Sequence, residues 1–148
     1  MTTAPTVDGR AIGLAHYAGR SVLEHVLTRH GATFARHITL RAAVVADGPV
    51  TADALVAEVV GALKTDPAAV RVTVEELLAE ELLSADGPLL RPTEAGRQLL
   101  AVVGAETGEI SARIYAGIPA EDLAAGGRVL TLVTERANAE LAALTRQE

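Results

Sequence analysis

The chain has 148 residues, a formal net charge of −6, 49% apolar residues and only 2% aromatic ones. One domain is the simplest expectation for this length, with a core of Leu, Val, Ile and Ala. The acidic balance argues against a general nucleic-acid binder, and the absence of cysteine excludes disulfides, thiolate metal sites and thiol nucleophiles, which fits a cytoplasmic protein. The start, MTTAPTVDGR, lacks the basic-then-apolar pattern of a secretory signal, and residues 1–9 read as a flexible tail or a dimer arm. No apolar run approaches the roughly 18 residues of a membrane span.

From Arg10 to Arg29, Ile12, Ala15, Val22, Leu23, Val26 and Leu27 recur at helical spacing, and Gly31 is a stop signal. A second helix is expected over 32–46, with Phe34, Ile38, Ala42 and Val45 on one face. DGPV breaks the chain at 47–50. Thr51 then caps a third helix whose stripe is Leu55, Val56, Val59, Val60 and Leu63. Asp66 and Pro67 start a fourth, with Val70, Val74, Leu77 and Leu78 inward. The short turn between these two makes a helix-turn-helix.

LLS and LLR flank Asp86-Gly87, a strong hairpin signal. Thr93 caps a fifth helix that runs to about Ala116. Pro119 opens a sixth, with Leu123, Leu130, Val133, Leu141 and Leu144, and Gly126 and Gly127 weaken it.

Four pieces in this order resemble the MarR (multiple-antibiotic-resistance regulator) family. RHGATFARHITLRAAVVADGPVTADALVAEV is similar to the run from the end of helix 1 through helix 3. VEELLAEELL is similar to the end of the recognition helix, with Glu81 where the family often has Gly. LLRPTEAGRQLL is similar to the strand followed by Leu-Thr-x-x-Gly-x-x-Leu, with Pro92 in place of the Leu. GIPAEDLAAGGRVLTLVTERANAEL is similar to the closing dimerisation helix. The resemblance covers about residues 10–145. It implies a mainly α fold: a winged helix-turn-helix with a short β-hairpin wing and long dimerisation helices. Residues 10–148 form the single domain, 51–93 its winged-helix lobe, and 10–30 and 94–148 its dimerisation helices. It further implies a ligand-responsive transcriptional regulator, acting as a homodimer on palindromic double-stranded DNA. The resemblance also implies a small-molecule pocket between the dimer helices and the lobe.

The lobe departs from that pattern in charge. Residues 51–93 hold three basic residues, Lys64, Arg71 and Arg91, against eight acidic ones. The tip Ala85-Asp86-Gly87-Pro88 has no cation. Affinity for DNA draws heavily on phosphate neutralisation, so this composition opposes it. With the apolar stripe inward, Ala68, Val72, Glu75, Glu76 and Ala79 face out and Arg71 lies at the edge. Val72 stands where the family often has arginine. The DNA-contact candidates are Lys64, Ala68, Arg71, Val72 and Arg91, with Ala68 or Val72 able to meet a thymine methyl.

The four histidines, His16, His25, His30 and His37, all fall within 22 residues. His25 points away from the apolar stripe. His16 with Arg20, and His37 with Arg41, are i,i+4 pairs at the margins of apolar faces. Partial burial of such arginines calls for a partner, which a small anionic, aromatic ligand supplies, with Tyr17 and Tyr115 adding polar contacts. Alternatively, the arginines pair with Glu24 or another carboxylate and the histidines satisfy backbone groups. Two functions therefore compete. One is the regulator. The other is a MarR-like fold that has lost DNA and serves as a small-molecule binder, or as an enzyme using His16 or His37 as acid or base. No His-x-x-x-His, phosphate loop or nucleophile elbow occurs, so no metal or cofactor is expected.

Overall fold

A computed structural model describes residues 5–147; the first four residues of the expected tail lie outside them. The described elements run α1 Gly9–Arg29, α2 Phe34–Val45, β1 Val50–Thr51, α3 Ala52–Leu63, α4 Pro67–Ala79, β2 Leu83–Asp86, β3 Leu89–Pro92, α5 Glu94–Tyr115 and α6 Ala120–Arg146. The fold is mainly α, a winged helix-turn-helix with a small antiparallel sheet. Contacts divide the chain into two compact units, Met1–Ile110 and Ser111–Glu148.

Side-chain caps set most helix starts in the first unit. Asp8 accepts from the Ala11 amide at 2.8 Å, Thr51 from Ala54 at 3.1 Å and Asp66 from Ala68 at 3.0 Å. Thr33 caps α2, so that helix begins at Phe34, two residues later than its periodicity suggests. Asp8 likewise moves the start of α1 to Gly9. Thr93 does two jobs: its hydroxyl accepts from Gly96 N–H at 3.0 Å and donates to the Glu81 carbonyl at 2.7 Å. The start of α5 is thereby pinned to the end of α4.

That end, like the end of α1, is a Schellman motif. After α1, Ala32 N–H donates to Leu27 O and Gly31 N–H to Thr28 O, with Gly31 at φ +66°. After α4, Leu82 N–H donates to Leu77 O and Glu81 N–H to Leu78 O, with Glu81 at φ +61°. Glu81 thus holds a left-handed backbone that glycine would adopt without strain.

The core of this unit gathers Leu40 and Ala43 of α2, Leu55, Val56 and Val59 of α3, Val70, Val74 and Leu77 of α4, and Leu83 and Leu90 of the wing. On α2, Ile38 and Ala42 of the expected stripe are half-buried against the core, while Val45, at the helix end, is 74% exposed. The deepest α2 residues are Thr39, Leu40 and Ala43, which face α3, α4 and β3.

The wing pairs Leu83 with Pro92 through Asp86 with Leu89, and β1 pairs with the other edge of β3. The central turn residues are Gly87 and Pro88, one position later than the Asp86-Gly87 signal suggests. Gly87 sits at φ +60°. Proline cannot take the second positive φ of a type I′ turn, so the turn is type II′.

In the second unit, Gly117 at φ +78° turns the chain before α6. The α6 helix continues through Gly126 and Gly127 and has no buried residue in the single chain. Leu123, Leu130, Val133, Leu141 and Leu144 are all exposed.

Candidate DNA-facing surface and ligand cavities

On α4, Val70, Thr73, Val74 and Leu77 are buried, while Ala68, Arg71, Val72, Glu75 and Ala79 are exposed. Val72 is 57% exposed. The fold thus presents a small, partly apolar surface along its recognition-type helix. Two of the three lobe cations on or near it are already engaged. Arg71 Nη2 bonds Asp53 Oδ1 at 2.9 Å. Lys64, in left-handed conformation at φ 55°, caps α3 and folds its ammonium onto the Gly61 carbonyl. Arg91 is exposed on β3, opposite Ser84 in the register.

A charge count over 51–93 overlooks Arg36, which reaches in from α2. Its Nε donates to Glu76 Oε2 at 2.7 Å and its Nη1 meets Glu80 Oε1 at 2.6 Å. Glu76 lies in the last turn of α4 and Glu80 is its C-cap residue, one turn on, so a single guanidinium clamps both. Two of the eight lobe carboxylates are therefore compensated from behind the helix. No local sequence pattern signals this, because the partners are 40 and 44 positions apart.

Two cavities lie within the first unit. One, of about 290 Å³, is lined by His30, Arg36, His37 and Glu80 among leucines such as Leu27 and Leu99. The other, of about 400 Å³, is lined by His16 and Arg20 of α1, Phe34 and Thr39 of α2, Val59 of α3 and Thr73 of α4. The expected ligand residues are thus split. His16 and Arg20 share one cavity, and His37 lines the other. Arg41, Tyr17 and Tyr115 line neither. Tyr17 is exposed and meets His16 edge-on at 5.6 Å between ring centroids. Arg41 is exposed. Tyr115 lies in the second unit, also exposed.

Arg20 pairs with Glu24 through Nε at 3.1 Å, and its guanidinium carbon stands 3.9 Å over the Phe34 ring. Burial, and then the charge of Arg41, holds His37 below its ordinary pKa of 6.5. The imidazole is therefore favoured in its neutral form. His25 is exposed, as its position on α1 suggests. His30 is the histidine the pattern does not single out. Its Nε2 lies 2.8 Å from Glu106 Oε1, and Arg29 Nη2 reaches Glu106 Oε2 at the same distance. These bonds tie the end of α1 to α5. Among the described residues no group of three or more His, Asp or Glu converges to hold a metal ion, and no helix is long and apolar enough to cross a membrane.

No family model matches the chain, and no curated protein matches it. Solved structures do. The reduced form of MarR from E. coli superposes with a TM-score of 0.68 at 17% identity, covering 88% of this chain and 95% of its own. A mutant of that protein complexed with operator DNA gives a TM-score of 0.69 at 18% identity, covering 84% and 91%. Bordetella bronchiseptica BpsR, whose DNA binding is regulated by 6-hydroxynicotinic acid, gives 0.61 at 20% identity, covering 89% and 99%. Six helices in this order, the three-stranded wing and these superpositions agree: the chain has the winged-helix fold of the MarR regulators.

Proposed function

We propose that the chain is a ligand-responsive transcriptional regulator that binds palindromic DNA as a homodimer. The observation that carries this reading is the outer face of α4, where Ala68, Val72 and Arg71 stand exposed on a recognition-type helix. Arg71 would meet a phosphate or base edge, Lys64 and Arg91 would meet phosphates, and Ala68 or Val72 would touch a thymine methyl. The Arg71–Asp53 pair does not oppose this. Its side chains are 54% and 84% exposed, and a pair of that kind is worth about 0–1 kcal/mol. A phosphate can take the guanidinium over at small cost.

The homodimer is supported by α6, whose apolar residues have no cover within one chain. A second copy interlocking α1, α5 and α6 would supply it. The regulatory ligand is supported by the two cavities, and by the likeness to BpsR, whose DNA binding is regulated by 6-hydroxynicotinic acid. The test is capture of sheared DNA from the source genome by purified protein, followed by sequencing. Enrichment of a few fragments sharing an inverted repeat supports the regulator; uniform recovery counts against it.

A second reading has its own observation. The lobe is acidic, and Lys64 and Arg71 are both engaged within the chain. On this reading the fold has lost DNA and keeps a cavity for a small molecule. If it is an enzyme, His16 and His37 act separately, because they line different cavities. Turnover would then depend on one of them as a lone acid or base.

A further inference from the structure

The outer stripe of α4 carries one charged side chain. Ala68, Val72, Glu75 and Ala79 follow at i, i+4, i+7 and i+11, which keeps all four within about 60° of one helix face. All four are exposed. Glu75 differs from the carboxylates near it. Arg36 holds Glu76 and Glu80 from behind the helix. Among the described residues Glu75 enters no ion pair. Arg71, at the edge of the stripe, bonds Asp53.

A helix docked on DNA by this face brings an uncompensated carboxylate with it. Against phosphate that group is repulsive; against a base edge it needs a donor. In the major groove guanine shows only acceptors, and thymine an acceptor and a methyl. Adenine sets its N7 acceptor beside its amino group. Cytosine alone shows an N4 amino donor with no acceptor next to it on the same base. A carboxylate therefore suits cytosine. Val72, one turn earlier and 57% exposed, offers only methyl groups, which suit the methyl of thymine. Three residues of helix rise about 4.5 Å, against about 3.4 Å between successive bases of a strand. Val72 and Glu75 thus address neighbouring base pairs. Ala68 and Ala79 are too short, and too apolar, to read an amino group.

We propose that Glu75 is a specificity-determining residue, accepting a hydrogen bond from the N4 amino group of a cytosine in each half-site, with Val72 on the methyl of an adjacent thymine. The proposal rests on the DNA-binding reading above and names the bases that α4 reads. It also gives the acidic character of this helix a use: Arg36 silences two carboxylates and leaves one to discriminate.

The test is selection from a randomised duplex library by the full-length protein and by its Glu75→Gln and Glu75→Ala variants. Each selected repeat is then titrated with its single-base changes. Position 75 is exposed, so both variants keep the core. The parent should enrich an inverted repeat with cytosine at one fixed position of each half-site and thymine beside it. Replacing that cytosine should weaken parent binding about tenfold per half-site. Glu75→Gln should exchange the cytosine for adenine, whose donor and acceptor match an amide, and leave every other position as it was. Glu75→Ala should lose the preference at that position alone, and Val72→Ala the preference for thymine alone. An identical repeat selected by the parent and both Glu75 variants would overturn the proposal and leave operator binding standing. So would Glu75 variants that bind every duplex more tightly by the same factor, the mark of a carboxylate that only repels phosphate. A parent that enriches no sequence would overturn the operator reading and this proposal with it.

Discussion

Substituting Gly96 with alanine tests the joint between the end of α4 and α5. A Cβ built on Gly96 would stand 2.2 Å from the Leu82 carbonyl oxygen and 3.2 Å from Leu40 Cδ1. The first contact is with backbone, so it cannot be relieved by a rotamer change. Leu82 O also accepts the Thr93 amide at 3.1 Å, so moving it strains the bond that precedes the α5 cap. Overpacking of this kind costs roughly 1–3 kcal/mol, and the strained hydrogen bond adds up to about 1 kcal/mol. Alanine's helix propensity returns at most about 1 kcal/mol. The net expectation is a loss of about 2 kcal/mol, a fall in Tm of roughly 4–8 °C for a chain of this size. Gly61, inside α3, is the control: a Cβ there meets nothing within 4 Å. Gly61→Ala should therefore raise Tm by roughly 2–4 °C. Both are read by thermal melts at matched protein concentration, since association would shift Tm. A Gly96→Ala protein as stable as the parent would refute the close packing of α5 on the chain after α4.

Other consequences are equally direct. Glu81→Gly should stabilise the chain by about 0.5–1 kcal/mol, because the left-handed backbone costs Glu more than glycine's added unfolded-state entropy; a denaturant midpoint that falls would contradict this. His37 is held below 6.5 in the folded chain by burial and then by Arg41. Just below 6.5 the unfolded chain then binds more protons than the native one, so stability present above 6.5 is lost as pH falls through the folded-state value. His37→Gln should flatten that part of the stability profile in denaturant titrations, and an unchanged slope would exclude His37 as its source. Leu130, on α6, is 46% exposed in the single chain. If α6 lies in a homodimer, Leu130→Glu should reduce the mass measured by light scattering to that of one chain at low concentration; a parent protein already monomeric would refute the dimer.

The elements were legible because their ends carry chemistry: Thr51, Asp66, Pro67 and Thr93 mark starts, and Gly31 marks a stop. The inward face of α2 was legible only in part: Ile38 and Ala42 pack against the core as their spacing suggests, but tertiary contacts bury Leu40 and Ala43 more deeply and leave Val45 outside. The hairpin was legible, but its centre was displaced by one residue: Asp86 pairs with Leu89, so Gly87 and Pro88 form the turn. At the candidate sites, i,i+4 spacing brought out His16 with Arg20, and those two do line one cavity. The same spacing paired His37 with Arg41, yet only His37 lines a cavity. The partners that distinguish the cavities come from distant positions. Arg36 with Glu76 and Glu80, and His30 with Glu106, are long-range pairs without a local signature. Thr39 was hidden for another reason: whether a helical threonine bonds its own backbone or faces a cavity is a rotamer choice.

The central claim is that this acidic lobe grips DNA. The measurement is fluorescence anisotropy of a duplex carrying the captured inverted repeat, over a series of salt concentrations, with random duplex beside it. If Lys64, Arg71 and Arg91 of two protomers supply the phosphate contacts, the slope of log K against log salt should be no steeper than about −5. Arg71→Ala should weaken operator binding and make that slope about 2 less steep, one contact from each protomer. Binding that is equal for operator and random duplex, or absent at low salt, would contradict the account.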